Sequence, residues 1–149
     1  MSKEINTTDN NNNSSINRKF IDELGIKFED TPQGWCSTSE EACSREEMWQ
    51  RQRDEWGFDE RETWSLDYTF KLWLYERLKV YNKINTVDTT YNKFKFNGEL
   101  ITLQDCLDRM INGLEKVLKN REDTSHGPGK DTMDDVLNIF TLCFGGLWW

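Results

Sequence analysis

A chain of 149 residues has the length of one domain, and with 36% apolar side chains its core must be gathered into a few segments. A formal net charge of −8 disfavours direct binding to a nucleic-acid backbone and favours basic partners. No apolar run approaches the ~20 residues of a membrane span and no signal-type apolar segment opens the chain, so the expectation is a cytoplasmic protein away from membranes.

Residues 1–16, MSKEINTTDNNNNSSI, are polar and of low complexity, and are expected to form a disordered tail. Residues 17–37 read as a loosely packed arm. In it Phe20, Ile21, Leu24 and Ile26 can make one helical turn that Gly25 ends, and Thr31-Pro32-Gln33-Gly34 is a turn. A helical domain is expected over residues 38–149.

Its first helix starts at Thr38, with Glu41 in the position of a capping-box partner, and stops at Gly57. The apolar stripe of this helix is thin: Ala42, Trp49 and Trp56. The second begins in the lead-in FDERET, with Asp59 as N-cap and Glu62 three residues on. Trp64, Phe70, Trp73, Leu74, Leu78 and Tyr81 recur at helical spacing, and Leu66, Leu72 and Tyr75 widen the surface, so this helix is expected to be central.

Alternation at Tyr91, Phe94 and Phe96, then Asn97-Gly98, then Leu100 and Ile101 predicts a hairpin over residues 92–101. The third helix follows, capped by Thr102 with Asp105 at the box position. Leu103, Cys106, Leu107, Met110, Ile111, Leu114, Val117 and Leu118 make one stripe, and Asp105–Arg109 and Glu115–Lys119 are i,i+4 pairs. Gly113 within it implies close approach of a neighbouring helix or a large ring.

The polar loop NREDTSHGPGK reads as non-helical, and a fourth helix is expected from Asp131 or Thr132. It is apolar on nearly every side, which makes it the second central helix, and the closing LWW is expected to dock. The fold class is therefore mainly α: four helices with a small β-hairpin before the third.

The four cysteines show no CxxC spacing, and Cys106 and Cys143 fall within apolar helical patterns, as reduced thiols would. A zinc site with His126 lacks two further ligands that the sequence can place. No P-loop, GxGxxG or Ser-His-Asp arrangement is present. Acid pairs at i,i+3, as in Mg²⁺-dependent all-α nucleotide hydrolases, occur at Asp59/Glu62, Asp105/Asp108 and Asp131/Asp134, but each sits at a helix start where capping explains it. No cofactor is called for.

Asp67 is the polar residue the pattern marks most sharply, because its spacing from Trp64, Phe70 and Leu74 sets it in or beside the core stripe. A buried carboxylate needs partners, so Asp67 either anchors a neighbouring element or lines a ligand pocket. A pocket between the second and fourth helices, lined by Trp64, Asp67, Trp73 and Arg77, is the form the second answer takes. With Trp56 and Arg61 these make six candidate contact residues for a ligand or partner.

The stretch from Trp49 to Tyr81 resembles a group of small phage and prophage proteins to which no activity is attached. The residues that carry the likeness are Gly57-Phe58, Trp64, Leu66-Asp67, Thr69 and Arg77-Leu78. It extends to ITLQDCLDRMINGLE and to FGGLWW, and leaves out the Asn-rich tail. The resemblance implies a phage-encoded protein in a bacterial host's cytoplasm and supplies no catalytic residue. The expected function is non-enzymatic: an accessory factor that binds and modulates a host or defence protein. A second copy of the chain is the other partner the sequence admits. The alternative is a nucleotide-binding module or a Mg²⁺-dependent nucleotide hydrolase.

Overall fold

The computed structural model describes residues 18–35 and 40–148, the side chains of residues 40–44 excepted. The expectations for the Asn-rich tail, for Thr38 as a cap and for Cys36 fall outside them. Among the described residues the elements run α1 Lys19–Glu23, α2 Glu40–Trp56, α3 Arg61–Trp64, α4 Leu66–Ile84, β1 Lys93–Phe96, β2 Glu99–Thr102, α5 Leu103–Lys119 and α6 Gly127–Cys143. The chain is mainly α, and its one antiparallel hairpin directly precedes α5.

The centre of the core is α5. Thr102 Oγ1 accepts from the Asp105 amide at 3.1 Å and Asp105 Oδ2 accepts from the Thr102 amide at 2.9 Å, a complete capping box that fixes where the helix starts. All eight apolar positions of its stripe are buried. Its charged side reaches further than i,i+4: Arg109 pairs with Glu99 on β2, and Glu115 accepts from the Tyr75 hydroxyl at 2.8 Å and pairs with Lys79 on α4. At Gly113 an added Cβ would stand 2.6 Å from Val136 Cγ2, so the missing side chain is what lets α6 lie against α5.

Two expectations about α6 need correction. It begins at Gly127, not at Asp131, because Pro128 in a first turn loses no helical hydrogen bond and already has the required φ. Gly129 is buried there, where a Cβ would meet the Asp123 carbonyl oxygen at 2.3 Å. Nor is α6 central. It buries Gly129, Met133, Val136, Ile139 and Cys143 along one face and leaves Leu137 exposed on the other.

The hairpin turns on Asn97 and Gly98, both with positive φ, which matches the twist of two-residue hairpins. It leans on the helices as a two-stranded sheet must. Ile101 is 1% exposed, and Phe94 and Phe96 pack against the core.

The arm is tighter than expected. Gly25 (φ 75°) ends α1 as predicted, but Ile21 and Ile26 belong to the core, and Thr31 and Pro32 are buried behind them. Arg121 beyond α5 clasps Asp30 at 2.7 Å. At the other end Leu147 packs on the core and Trp148 accepts from the Tyr81 hydroxyl at 3.0 Å through its carbonyl, while its ring stays exposed. Cys106 and Cys143 are buried free thiols, and burial pushes Cys143 up to about 12.

Candidate functional site

The lead-in to α4 folds differently from its sequence pattern. Gly57 (φ 83°) ends α2, α3 is a single turn, and Ser65 (φ −136°, ψ 70°) breaks the helix before α4 begins. Residues 61–64 and 66–84 therefore do not lie on one screw. The stripe counted through Trp64 and Asp67 is lost, and the buried face of α4 is carried by Leu72, Leu74, Tyr75 and Leu78.

Asp67 consequently lies in the first turn of α4 with its side chain 70% exposed. It accepts from Ser65 Oγ at 3.3 Å and from Lys71 Nζ at 3.4 Å. Partial desolvation pushes its carboxyl up. The Lys71 ammonium and the hydrogen bonds to it outweigh that and hold it below the usual range. It is not a buried acid.

Among the described residues the buried acids are Glu76 and Asp59, and Asp59 is the more fully buried. Asp59 sits in a network of arginines. Its Oδ1 accepts from the Arg61 amide at 3.1 Å and from Arg61 Nε at 2.9 Å. Its Oδ2 accepts from Arg61 Nη2 and from Arg53 Nη1, both at 2.7 Å. Desolvation pushes its carboxyl up, and the two arginines outweigh it and keep it low. Arg53 also reaches Glu46 at 2.6 Å, so the network ties α2 to α3.

The Arg61 guanidinium lies 4.0 Å from the centre of the Trp49 ring, and Trp49 Nε1 donates to Glu60. Trp64 meets Trp49 edge-on and stacks on Trp35 at 6.1 Å. Asp59, expected as an N-cap, is the bolt of this junction. Arg61, expected to touch a ligand, is 1% exposed and serves the junction too.

The other candidates face solvent. Trp56 is exposed beside Phe58, their rings 6.1 Å apart, and Trp64 at the end of α3 and Leu66 at the start of α4 are exposed. Trp73 is 44% exposed, stacked on Phe70, with the Arg77 guanidinium 4.4 Å from its ring centre. None of the recesses described below brings Trp64, Asp67, Trp73 and Arg77 together. Trp73 borders one recess and Asp67 a different one.

The recess at Trp73 is a small cavity between α1, the Pro32 turn, α3 and α4, of about 30 Å³. A water needs about 10–15 Å³ on that scale, so there is room for one or two waters or a head group of that size. Glu76 lines it and is 5% exposed, with Oε1 unpaired. Thr69 Oγ1 and Arg18 Nη2, also on its wall, have no partner among the described residues. Arg18 Nη1 donates to Gln33 at 3.4 Å. Burial pushes Glu62 up, and it pushes Glu76 up to about 7 against the pull of Arg18 and Arg77. Thr69, Leu72 and Glu76 are spaced i, i+3, i+7, a signal that could have marked this face of α4; Arg18 comes from the arm and gave none.

No family model, curated protein or solved structure matches this chain. Its function has to be read from the residues themselves.

The recess at Asp67 is an open cleft of about 440 Å³ with Trp35, Tyr68, Lys71, Arg121 and Glu122 on its walls. That volume would admit a small ligand. Its cations are already engaged, Arg121 by Asp30 and Lys71 by Asp67 and Thr124. One member of each acid pair raised by the sequence is engaged likewise. Asp59 holds two arginines, Asp105 caps α5 and Asp134 pairs with Lys130. Among the described residues no three His, Cys, Asp or Glu side chains converge as metal ligands, and no helix is long and apolar enough to cross a membrane.

Proposed function

We propose that this protein acts by binding another protein, as a phage-encoded accessory factor that modulates a host or defence protein in the bacterial cytoplasm. One observation carries the reading. The segment 56–73 leaves Trp56, Phe58, Trp64, Leu66 and Trp73 exposed, three of them tryptophans. Large aromatic side chains fixed on a rigid mount are the anchors that dominate protein interfaces. Trp64 has such a mount, since it stacks on Trp35 and meets edge-on the Trp49 ring that packs against the buried Arg61. The net charge of −8 points to a basic partner surface.

The test is affinity capture from a host lysate with the full chain and with a Trp56→Ser/Trp64→Ser variant of matched circular dichroism. A partner held by the parent chain and released by the variant is the expected result. A partner captured equally by both, or none under several conditions, removes the reading.

The nucleotide alternative needs a lining of mixed aromatic and basic groups such as that of the cleft at Asp67. There the compensated lysine and arginine argue against a phosphate ligand.

A further inference from the structure

The cavity beside Trp73 holds groups that the rest of the fold leaves unserved. Glu76 is 95% withdrawn from solvent yet keeps an unpaired Oε1, and Thr69 Oγ1 faces the same space unpaired. Glu62 from α3 stands on the same wall. All three offer oxygen acceptors, and an ammonium group carries three donors and no acceptor. The charges around Glu76 are Arg18 and Asp22 from the arm, Arg77 from its own helix and Glu62 across the cavity. Three acids, Asp22, Glu62 and Glu76, thus face two arginines, and one added positive charge brings the set to neutrality.

Size narrows the choice further. About 30 Å³ accepts the tip of a ligand and no more, so the remainder must leave past Trp73, which is half-exposed at the cavity's edge. A cationic tip on a slender apolar stem, entering beside an indole, describes a lysine side chain.

We propose that this cavity seats the ammonium of a lysine presented by the protein partner, with Glu76 and Thr69 as its acceptors, Glu62 as its second counter-charge and Trp73 against its stem. The inference rests on the reading of the chain as a protein-binding factor. It adds the chemistry of one contact and explains why a domain would keep a desolvated glutamate with an unused oxygen. Arg18 is the competing cation at the site. Its Nη1 donates to Gln33 and its guanidinium lies 5.1 Å from the Phe28 ring centre, while its Nη2 is buried on the cavity wall and makes no hydrogen bond to Glu76 Oε1. Seating a lysine favours the ionised form of Glu76, so binding releases a proton near neutral pH and weakens as the pH falls.

The probe is n-butylammonium, with n-butanol as its neutral counterpart, titrated into the full isotope-labelled chain. The readouts are the Trp73 indole and Thr69 amide resonances. Saturable shifts with millimolar affinity are expected for butylammonium and not for butanol. Glu76→Gln, a neutral isostere, is expected to weaken the effect at least about tenfold. Arg18→Met is expected to strengthen it by removing the competitor, whereas an anion-binding cavity would lose its ligand in that variant.

Equal shifts with butanol, unchanged affinity in Glu76→Gln, or a high-resolution structure showing only water in the cavity under saturating butylammonium would overturn the proposal. The two readings also fail separately. If the Trp56→Ser/Trp64→Ser variant loses a partner that Glu76→Gln keeps, the lysine seat falls and the binding function stands. If butylammonium binds as described while the tryptophan variant keeps every partner, the aromatic face falls and the seat stands.

Discussion

Replacing Asp59 with asparagine tests the junction that mounts the exposed aromatics. Asparagine keeps one carbonyl oxygen, so the bonds from the Arg61 amide and Nε can survive. The other oxygen becomes an NH₂ that points donors at Arg61 Nη2 and Arg53 Nη1, both now 2.7 Å away. Two charge-assisted bonds are lost at about 1.5–3 kcal/mol each, and the Arg61 side chain is left charged at 2% exposure. Breaking one partner of a buried pair costs about 3–5 kcal/mol, and Asp59→Asn should fall in that range.

For a domain of this size that is a loss of roughly 6–20 °C in Tm. Urea titration followed by circular dichroism at pH 7 measures it directly. The double variant Asp59→Leu/Arg61→Met removes both charges, so its loss should be smaller than the sum of the single losses by about 2 kcal/mol. Acid adds an internal check. The carboxyl of Asp59 is held low in the folded chain, so its contribution is complete above the unfolded value near 4 and disappears as the pH falls through the folded one. The gap between parent and Asp59→Asn should close in that window. A change within about 0.5 kcal/mol for Asp59→Asn at pH 7, or strict additivity in the double variant, would show that the network does not hold the junction together.

Three further outcomes are expected. Glu76 titrates near 7 when folded and 4.5 when unfolded, so the folded state binds more protons between those values and stability declines across that interval as the pH rises. Glu76→Gln should flatten that slope and add about 1–3 kcal/mol at pH 8, and a pH series of melting curves that leaves the slope intact would refute the assignment. Gly113→Ala gains about 1 kcal/mol of helix propensity but drives a methyl to 2.6 Å from Val136 Cγ2, so a net loss of about 1–2 kcal/mol is expected, relieved by Val136→Ala in the same chain. Asp67→Asn removes an exposed carboxylate and one long contact to Lys71, so chemical denaturation should show a loss under about 1 kcal/mol; a larger one would mean the residue is buried after all.

The parts of the fold that sequence revealed are those where one local rule acts alone. The stripe of α5, the Thr102 box and the Asn97-Gly98 turn each follow from a short-range requirement of the backbone. Gly113 was legible for the same reason, since a glycine in a helix carries a cost that packing must offset. The lead-in to α4 was not legible because the break at Ser65 has no signature of its own. The helical spacing ran through it, and a buried acid was therefore sought at Asp67 when Asp59 fills that part. Two arginines mark Asp59, but one of them, Arg53, comes from the preceding helix, a relation that periodicity does not carry. Of the six candidate contact residues, Trp56, Trp64, Trp73 and Arg77 are exposed, while Arg61 is buried and Asp67 lines a cleft apart.

The attachment of α2 has a consequence for how the molecule comes apart. Among its described side chains, from Arg45 to Trp56, Trp49 is the sole buried one, and Arg53 to Asp59 and Gln52 to the Glu60 amide are ties made by half-buried ones. A helix that buries one of its described side chains shares less of the cooperativity that unites α4, α5 and α6, and is expected to have its own opening equilibrium. Its amides should exchange with deuterium earlier than those of α5, and faster still in Asp59→Asn, long before the domain unfolds. On that expectation α4, α5 and α6 form a kernel and α2 a lever, and the partner proposed above, gripping the tryptophans at the joint, would set the lever's position without disturbing the kernel.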